Sequence, residues 1–268
     1  MGGVPVSHPW FSDADTPRVL AHRGHVTARM AIDGIVENSI AAIAQAHAAG
    51  VRYVESDCHL TRDGVVVLFH DDDLRRITGD PRPIADVDVR ELRRLMAPRG
   101  GLAILDQTLE AFPTLRFNLD VKAPGAAVPV GRTVAEHGAR VLLTSFSDQR
   151  RLAALAAAGA ASTGVRPATS AGTGTIARLL GAVALGSARA ARRLFTGLDA
   201  IQIPERQGRF RVLTPRLIRA AHESGVEVHV WTVNDPDDMR RLVALGVDGI
   251  VTDRTDVALD TLRTNRPF

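Results

Sequence analysis

The stretch that decides the fold is residues 53–71, with the sequence YVESDCHLTRDGVVVLFHD. Its first half alternates in polarity, so Glu55, Asp57 and His59 fall on one face of an extended strand, because side chains two residues apart point in the same direction. Charged groups are costly to bury unless they have partners or bind a metal. Taken alone, this face is equally consistent with a structural cluster of ion pairs and with a functional site.

The second half of the stretch predicts a turn followed by a buried strand. Asp63-Gly64 is a dipeptide typical of tight turns. The apolar run 65–69 is typical of a strand that is covered on both faces. His70 and Asp71 follow directly where this run stops. The stretch therefore predicts two strands with polar groups at or near their ends.

Predicted strands alternate with predicted helices along the chain. Besides the two strands above, strands are expected at 18–22, 116–121, 141–145, 162–166, 200–203, 227–232 and 249–251. Helices of one to several turns are expected between them, including a long one at 175–194. Strands separated in this way indicate a parallel sheet with right-handed crossovers. Roughly eight repeats in 268 residues predict an α/β fold of the (βα)8 TIM-barrel type.

A doubly wound open sheet is the alternative, but no glycine-rich phosphate loop follows the first strand. We expect one barrel domain over residues 18–268, with a small insertion after the third strand at about 72–104. Residues 1–17 are expected to be an N-terminal extension.

Composition excludes several classes of function. Lys and Arg (33) nearly balance Asp and Glu (30), and aromatic residues make up 4%, so we expect no nucleic-acid partner. The single cysteine, Cys58, excludes an internal disulfide and fits a reducing compartment. Neither a signal peptide nor an apolar run of membrane-spanning length is visible. These features predict a cytoplasmic protein.

Polar residues follow nearly every predicted strand, where a barrel of this type carries its catalytic groups. A packed core gives no reason for this placement, which favours a functional site. These residues are His22 and Arg23, Glu55, Asp57 and His59, His70 and Asp71, Asp120 and Lys122, 145–147, Arg166, Gln202, 231–234, and Thr252 and Asp253.

The carboxylates at these strand ends predict a metal site. Glu55, Asp57 and Asp120, with Glu37 close to the loop after the first strand, form an all-oxygen set that suits Mg²⁺ or Ca²⁺ and not zinc. The alternative for Asp120 is a salt bridge to Lys122, two residues along the same strand.

The histidines and cations indicate phosphoryl chemistry. His22 and His70 end different strands, and a pair of histidines suits a general acid and a general base. Arg23 and Lys122 supply positive charge for a bound anion, and the arginine fork fits phosphate. A metal, paired histidines and cations together neutralise and position a phosphoryl group.

As a set, these residues resemble the glycerophosphodiester phosphodiesterase family, in the family's order, from about residue 18 to 256. The matching elements are Ala21-His22-Arg23-Gly24, Glu37-Asn38-Ser39, Glu55-x-Asp57 followed by residues 60–64, Val67-x-x-His70-Asp71, Asn118-x-Asp120-x-Lys122, Ser145-Phe146, residues 231–234 and residues 246–253.

The resemblance implies a metal-dependent TIM barrel that cleaves glycerophosphodiesters to an alcohol and sn-glycerol 3-phosphate. It implies metal binding by Glu55, Asp57 and Asp120, and acid–base catalysis by His22 and His70. Arg23 and Lys122 would hold the phosphate. We also expect Glu37, His59 and Trp231 to contact the substrate, although His59 lining the wall of the site is the alternative.

The sequence departs from the family pattern at three places. The link from Gly24 to Glu37 is long, and Val36 stands where a proline is usual. Asp120 stands where many members have glutamate. The insertion is small, which leaves substrate selection open.

Two other functions remain alternatives. A lysophospholipase D would use residues 173–195 to touch an anionic membrane surface, although an ordinary helix covering the barrel is favoured for this segment. A non-catalytic barrel that binds phosphodiesters would have lost a histidine or a carboxylate, and all are present.

Overall fold

The strands assemble into one curved sheet and a separate hairpin. The computed structural model describes residues 8–12 and 16–263. Its strands are β1 (Arg18–His22), β2 (Tyr53–Leu60), β3 (Val66–Leu68), β4 (Arg116–Val121), β5 (Val141–Thr144), β6 (Ala168–Thr169), β7 (Ala200–Ile203), β8 (Arg206–Gln207), β9 (Phe210–Arg211), β10 (Glu227–Val230) and β11 (Gly249–Thr252).

The large sheet closes into a barrel of parallel strands, as predicted. Its strands follow the order β6-β5-β4-β2-β1-β11-β10-β7. A parallel bridge between Ser170 and Ala200 brings the two ends of this row together. In register, His22 lies opposite Glu55, and Asp57 lies opposite Asp120. The barrel therefore places these residues, which are far apart in sequence, side by side at one end.

Helices cover the outside of the barrel. They are α1 (Ala28–Ile32), α2 (Ile40–Ala48), α3 (Arg75–Thr78), α4 (Val89–Met96), α5 (Leu105–Ala111), α6 (Ala127–Val134), α7 (Asp148–Ala161), α8 (Thr173–Ala184), α9 (Ala188–Phe195), α10 (Pro215–His222), α11 (Pro236–Ala244) and α12 (Thr255–Arg263). Several begin at a residue whose side chain accepts a backbone hydrogen bond from the first turn, as Ser39 and Asp235 do.

Apolar residues fill the space between the strands and these helices. Leu119 of β4 and Ile201 of β7 are fully buried beneath the helices on opposite sides of the barrel. In the described part of the chain, no helix combines the length and the apolar character needed to cross a membrane.

The apolar run 65–69 was wrongly predicted as a parallel strand. Its core, β3, pairs antiparallel with β2 and lies off the barrel path. Gly64 adopts φ +80° in the intervening turn, and a tight turn can join only antiparallel neighbours. His70 nevertheless reaches the mouth of the barrel, because β3 folds back along the end of β2.

The predicted sixth strand was also wrong. The strand is Ala168–Thr169, and residues 162–166 precede it. Arg166 therefore lies at the amino end of β6, away from the other polar strand ends, and pairs with Asp199 at 2.8 Å. Pro167 explains the shift, because proline lacks the amide hydrogen that a strand ladder uses.

The long helix expected at 175–194 is two helices, α8 and α9. The chain breaks between them near Gly186, which has φ +68°. Leu179 and Phe195 from this segment are buried in the core of the barrel, as an ordinary outer layer requires.

The insertion after β3 has a small core of its own. Leu74, Ile84, Leu92 and Met96 are buried together with Phe69. This cluster fixes α3 and α4 beside the end of the β2–β3 hairpin. The domain boundaries proposed at residues 18, 72 and 104 stay predictions.

A short segment before β1 covers the amino-terminal end of the barrel. Trp10 is fully buried, its ring centroid lies 4.7 Å from that of Tyr53, and its indole nitrogen donates a hydrogen bond of 3.1 Å to the carbonyl oxygen of Phe117. Arg18 lies over the ring of Phe11, 5.4 Å from its centroid. This end of the barrel is therefore sealed by aromatic side chains.

Trp10→Ala should lower the free energy of unfolding by about 3–5 kcal/mol, because removal of a buried aromatic side chain leaves a cavity. Urea denaturation followed by circular dichroism measures this change. Leu185→Ala, at a side chain that is 86% exposed, is the matched control. Equal losses in the two variants would contradict the sealing role of Trp10.

Candidate active site

Asp57 is the best-connected carboxylate at the mouth of the barrel. Its Oδ1 lies 3.2 Å from the Lys122 amine. Its Oδ2 lies 3.3 Å from Nε of Arg23 and accepts a hydrogen bond of 3.2 Å from the side-chain amide of Asn38. Lys122 also lies 3.0 Å from Oδ2 of Asp120. The salt bridge considered for Asp120 therefore exists, and Lys122 joins the ends of β2 and β4.

The carboxylates of Glu55 and Asp120 have fewer hydrogen-bond and ion-pair partners than the carboxylate of Asp57. Glu55 Oε2 and Asp120 Oδ1 are buried without a hydrogen-bond partner in the described part of the chain, as is Oδ1 of Asn118. Burial, followed by the charges of Asp57 and Asp120, raises the pKa of Glu55 well above its ordinary value. Burial also raises the pKa of Asp120, despite the opposing effect of Lys122. These atoms would be stabilised by additional positive charge.

The geometry of these side chains bears on the predicted metal site. Within residues 8–12 and 16–263, no three His, Cys, Asp or Glu side chains converge as a ready metal-binding group. Asp57 and Asp120 instead direct oxygens at Lys122. The unpartnered oxygens of Glu55 and Asp120 are nonetheless hard donors of the kind that Mg²⁺ and Ca²⁺ prefer. The donor set fits a hard divalent cation.

His22 is held by a carboxylate from the last strand end. Its Nδ1 lies 2.6 Å from Oδ1 of Asp253, and Oδ2 of Asp253 accepts a hydrogen bond of 2.8 Å from Asn234. The contact with His22 lowers the pKa of Asp253. Because the ionised Asp253 accepts from Nδ1, Nε2 of His22 faces the site, 3.8 Å from Oε2 of Glu55.

His70 has a similar partner of its own. Its Nδ1 lies 2.7 Å from Oδ1 of Asp71, and Nε of Arg76 donates a hydrogen bond of 2.6 Å to Oδ2 of Asp71. Burial would raise the pKa of Asp71, but the hydrogen bonds from Arg76 and His70 outweigh it and lower the value. Each histidine thus has Nδ1 bound to an ionised aspartate, and Nε2 has no hydrogen-bond partner among the described residues.

The turn after β1 directs Arg23 into the site. Arg23 has φ 60° and the following Gly24 has φ 87°. A side chain on Gly24 would lie 2.8 Å from the backbone of Ala42, so only glycine fits. Arg23 Nη1 donates a hydrogen bond of 2.7 Å to Glu37. A non-glycine residue in the left-handed region is strained, and such strain is concentrated at functional sites.

His59 and Trp231 occupy different positions around the mouth. His59 is buried, and its Nε2 lies 3.3 Å from the carbonyl oxygen of His70. Burial lowers the pKa of His59, so the neutral ring can donate to that carbonyl. Trp231 meets the exposed Phe146 edge to face at 5.9 Å, and the Lys122 amine lies 5.2 Å from the Phe146 ring centroid. An aromatic wall thus borders the cationic part of the site.

Sequence reasoning assigned no role to several of these partners. Asp71, Asp253 and Asn234 each lie at a predicted strand end, whereas Arg76 lies in the predicted insertion. The aspartates could have been identified as acidic residues at strand ends that lie next to a strand end carrying a histidine. Arg76 gave no such signal, because its contacts depend on how the insertion folds.

In a closed parallel barrel, histidines, carboxylates and cations at the carboxyl ends of the strands are typical of an enzyme active site. The sequence matches the glycerophosphoryl diester phosphodiesterase family over residues 22–257, and the chain belongs to this family. The protein is therefore a phosphoric diester hydrolase. The resemblance noted in the sequence is confirmed.

Individual relatives agree with this family. The chain is 38% identical over 246 residues to the probable glycerophosphodiester phosphodiesterase 2 of Mycobacterium tuberculosis, which covers 91% of this chain and 89% of that protein.

Solved structures show the same fold. The chain is similar to the glycerophosphodiester phosphodiesterase of Thermotoga maritima, with a TM-score of 0.69, 24% identity and coverage of 92% of this chain and 99% of that one. It is also similar to an Oleispira antarctica phosphodiesterase in complex with its product sn-glycerol-3-phosphate, with a TM-score of 0.69, 20% identity and coverage of 92% and 97%.

Glu55→Gln should raise the melting temperature of the chelator-treated protein at about pH 7.5, with the gain shrinking toward about pH 4. The pKa of Glu55 is raised in the folded state, so the protonated carboxyl favours folding. This stabilisation is fully present below the unfolded-state pKa of about 4.3 and is lost as the pH rises through the folded-state pKa and the group ionises. Glutamine stays neutral and avoids this loss.

Thermal unfolding at the two pH values in chelator measures the effect. Glu110→Gln, at an exposed carboxylate on α5, should change neither melting temperature. A Glu55→Gln protein that melts at or below the wild-type temperature near neutral pH would show that Glu55 is better compensated than its surroundings indicate.

Proposed function

We propose that the protein hydrolyses glycerophosphodiesters to an alcohol and sn-glycerol 3-phosphate, with a divalent cation, Mg²⁺ or Ca²⁺, and with His22 and His70 as general acid and base. The observation that carries this proposal is the pairing of each histidine with an aspartate, at 2.6 and 2.7 Å, beside the buried carboxylates. The solved relative from Oleispira antarctica, in complex with the product sn-glycerol-3-phosphate, is consistent with the substrate class.

Glu55, Asp57 and Asp120 would hold the cation, since two of them have buried oxygens without partners. A bound divalent cation would neutralise charge on the phosphate and lower the pKa of a bound hydroxyl. Arg23 and Lys122 would bind the remaining phosphate oxygens. Both are already within 3.3 Å of Asp57, so anion binding requires them to share or exchange that contact.

The histidines would move two protons. Nε2 of one histidine removes the proton from the glycerol hydroxyl next to the phosphoester, and that oxygen bonds to phosphorus. The bond from phosphorus to the alcohol oxygen breaks, and the other histidine protonates this oxygen. Water then opens the cyclic phosphate, with the proton roles exchanged. Asp253 and Asp71 stabilise whichever ring carries the extra proton, because each ionised carboxylate contacts one Nδ1.

Trp231 and Glu37 have narrower proposed roles. The Phe146–Trp231 wall would contact the glycerol or the leaving alcohol, since it presents apolar surface beside Lys122. Glu37 would act mainly by orienting Arg23, to which it is bonded. His59 would line the wall and support the backbone of His70.

The alternatives receive less support. A lysophospholipase D that uses residues 173–195 on a membrane is not favoured, because the large apolar side chains Leu179 and Phe195 are buried in the barrel core. A non-catalytic barrel is not favoured, because the family's histidines and carboxylates are all present. Cytoplasmic location and membrane contact stay predictions.

His22→Ala and His70→Ala should each lower kcat for glycerophosphocholine by about 10²–10⁴-fold, the usual contribution of a general acid or base. Release of sn-glycerol 3-phosphate in the presence of Mg²⁺ or Ca²⁺ measures this loss. His47→Ala, on the exposed face of α2, should retain full activity. Near-wild-type hydrolysis by both site variants would remove the two-histidine mechanism.

Mg²⁺ or Ca²⁺ should raise the melting temperature of the chelator-treated protein and restore its activity toward glycerophosphodiesters of different alcohols. Restored activity toward lysophospholipids would instead favour the lysophospholipase D alternative. A ligand that binds only the folded state stabilises it. Asp57→Asn and Asp120→Asn should reduce this thermal shift, whereas Asp33→Asn, at an exposed carboxylate after α1, should preserve it. An unchanged shift in both site variants would place the cation elsewhere.

A further inference from the structure

Arg76 connects two parts of the site that lie on different segments of the chain. It lies on the short helix α3 in the insertion, and its side chain is 49% exposed. It nevertheless donates three hydrogen bonds to carboxylates. Nε donates to Asp71 Oδ2 at 2.6 Å, and Nη2 donates to Asp71 Oδ1 at 3.2 Å and to Glu37 Oε1 at 2.7 Å. One guanidinium group therefore holds two acidic residues together.

Each of these acids also contacts a residue of the proposed reaction. Asp71 Oδ1 lies 2.7 Å from Nδ1 of His70. Glu37 Oε1 accepts a hydrogen bond of 2.7 Å from Nη1 of Arg23. The contacts form a continuous path from His70 through Asp71, Arg76 and Glu37 to Arg23. This path links the proposed proton-transfer group to the proposed phosphate-binding group.

The position of Arg76 is itself supported. Leu74, directly before α3, is fully buried in the small core of the insertion. Nε of Arg99 donates a hydrogen bond of 2.7 Å to the carbonyl oxygen of Ile77. The helix that carries Arg76 is thus anchored at both ends, so the arginine fork is held in a defined place.

We propose that Arg76 is a positioning residue, which orients His70 through Asp71 and Arg23 through Glu37. This inference rests on the proposed functions of His70 and Arg23. The two histidines are then oriented by different parts of the fold. Asp253 is bonded to Asn234, so the barrel's own loops orient His22, whereas the insertion orients His70.

The hydrogen bonds from position 76 to Asp71 and Glu37 require a planar cation with several donors. Arginine can donate to both oxygens of Asp71 and still reach Glu37, because its donors spread in one plane. Lysine has a single ammonium group and cannot reproduce this spread. Without the guanidinium group, Asp71 is bound mainly to His70, and Arg23 is the one partner left to Glu37 among the described residues. Both side chains then gain freedom to rotate away from the productive arrangement.

Arg76→Gln should lower kcat for glycerophosphocholine by about 10–100-fold, the usual cost of removing a residue that orients a catalytic group. It should also raise KM, because Arg23 loses its orientation. Arg75→Gln is the matched control, since Arg75 is the exposed neighbour in the same helix and has no side-chain partner in the described part of the chain. The control should keep the wild-type kcat and KM.

Arg76→Lys separates positioning from a general loss of stability. It keeps the charge and one donor, so it should recover part of kcat, with a melting temperature near that of Arg75→Gln. Asp71→Asn should lower kcat with little change in KM, and its effect should be much smaller when introduced into Arg76→Gln, because the two residues act through one path.

Three outcomes would overturn the inference. They are wild-type kinetics in Arg76→Gln, full additivity of Asp71→Asn with Arg76→Gln, and complete recovery by Arg76→Lys. The activity of His70→Ala is measured in parallel, so that failure of the positioning role can be told from failure of the proposed function. An inactive His70→Ala with an unaffected Arg76→Gln rejects only the positioning role, whereas an active His70→Ala rejects the proposed function.

Discussion

The structure of the site depends on compensating the buried charge of Asp57. This carboxylate is almost inaccessible, yet it lies within 3.3 Å of Arg23 and Lys122 and accepts a hydrogen bond from Asn38. Those partners come from the turn after β1, from the residue that follows β4 and from the segment before α2. A buried ion pair that loses one partner is strongly destabilised, because an uncompensated charge remains. The requirement at Asp57 therefore ties three separate loops to one point.

The two neighbouring carboxylates are not compensated in the same way as Asp57. Glu55 and Asp120 keep buried oxygens without partners, and burial raises the pKa of each. Proteins retain such costly groups where they bind something that supplies the missing charge. Under the proposed function, stability and activity make opposite demands on these side chains, as is common at active sites.

Much of the fold was predictable because its signals are local. Alternation of strands and helices identified the parallel barrel, and polar strand ends predicted that His22, Glu55, Asp57, Asp120 and Lys122 lie together at one end of it. The errors arose where one residue changed a local outcome. Gly64 folded an apolar run back onto β2, and Pro167 moved the sixth strand. Hydrophobicity alone does not give strand direction.

Partners from distant segments were not predictable in the same way. Asp253 pairs with His22 because β11 closes next to β1, and that adjacency exists only once the barrel has formed. Arg76 reaches Glu37 and Asp71 because the insertion folds onto its own small core. Such contacts depend on tertiary geometry and leave no periodic pattern in the sequence.

Trp10 closes the amino-terminal end of the barrel, and this closure bears on the order of events in the proposed reaction. With one end closed, substrate, departing alcohol and incoming water would all use the carboxyl-terminal mouth of the barrel. In the proposed two-stage reaction, the alcohol must clear this opening before water can reach the cyclic phosphate from the same side. A bulky or slow-leaving alcohol would delay the second stage even when the first is fast. In the proposed reaction, the closed end of the barrel would thus make product departure a step in its own right.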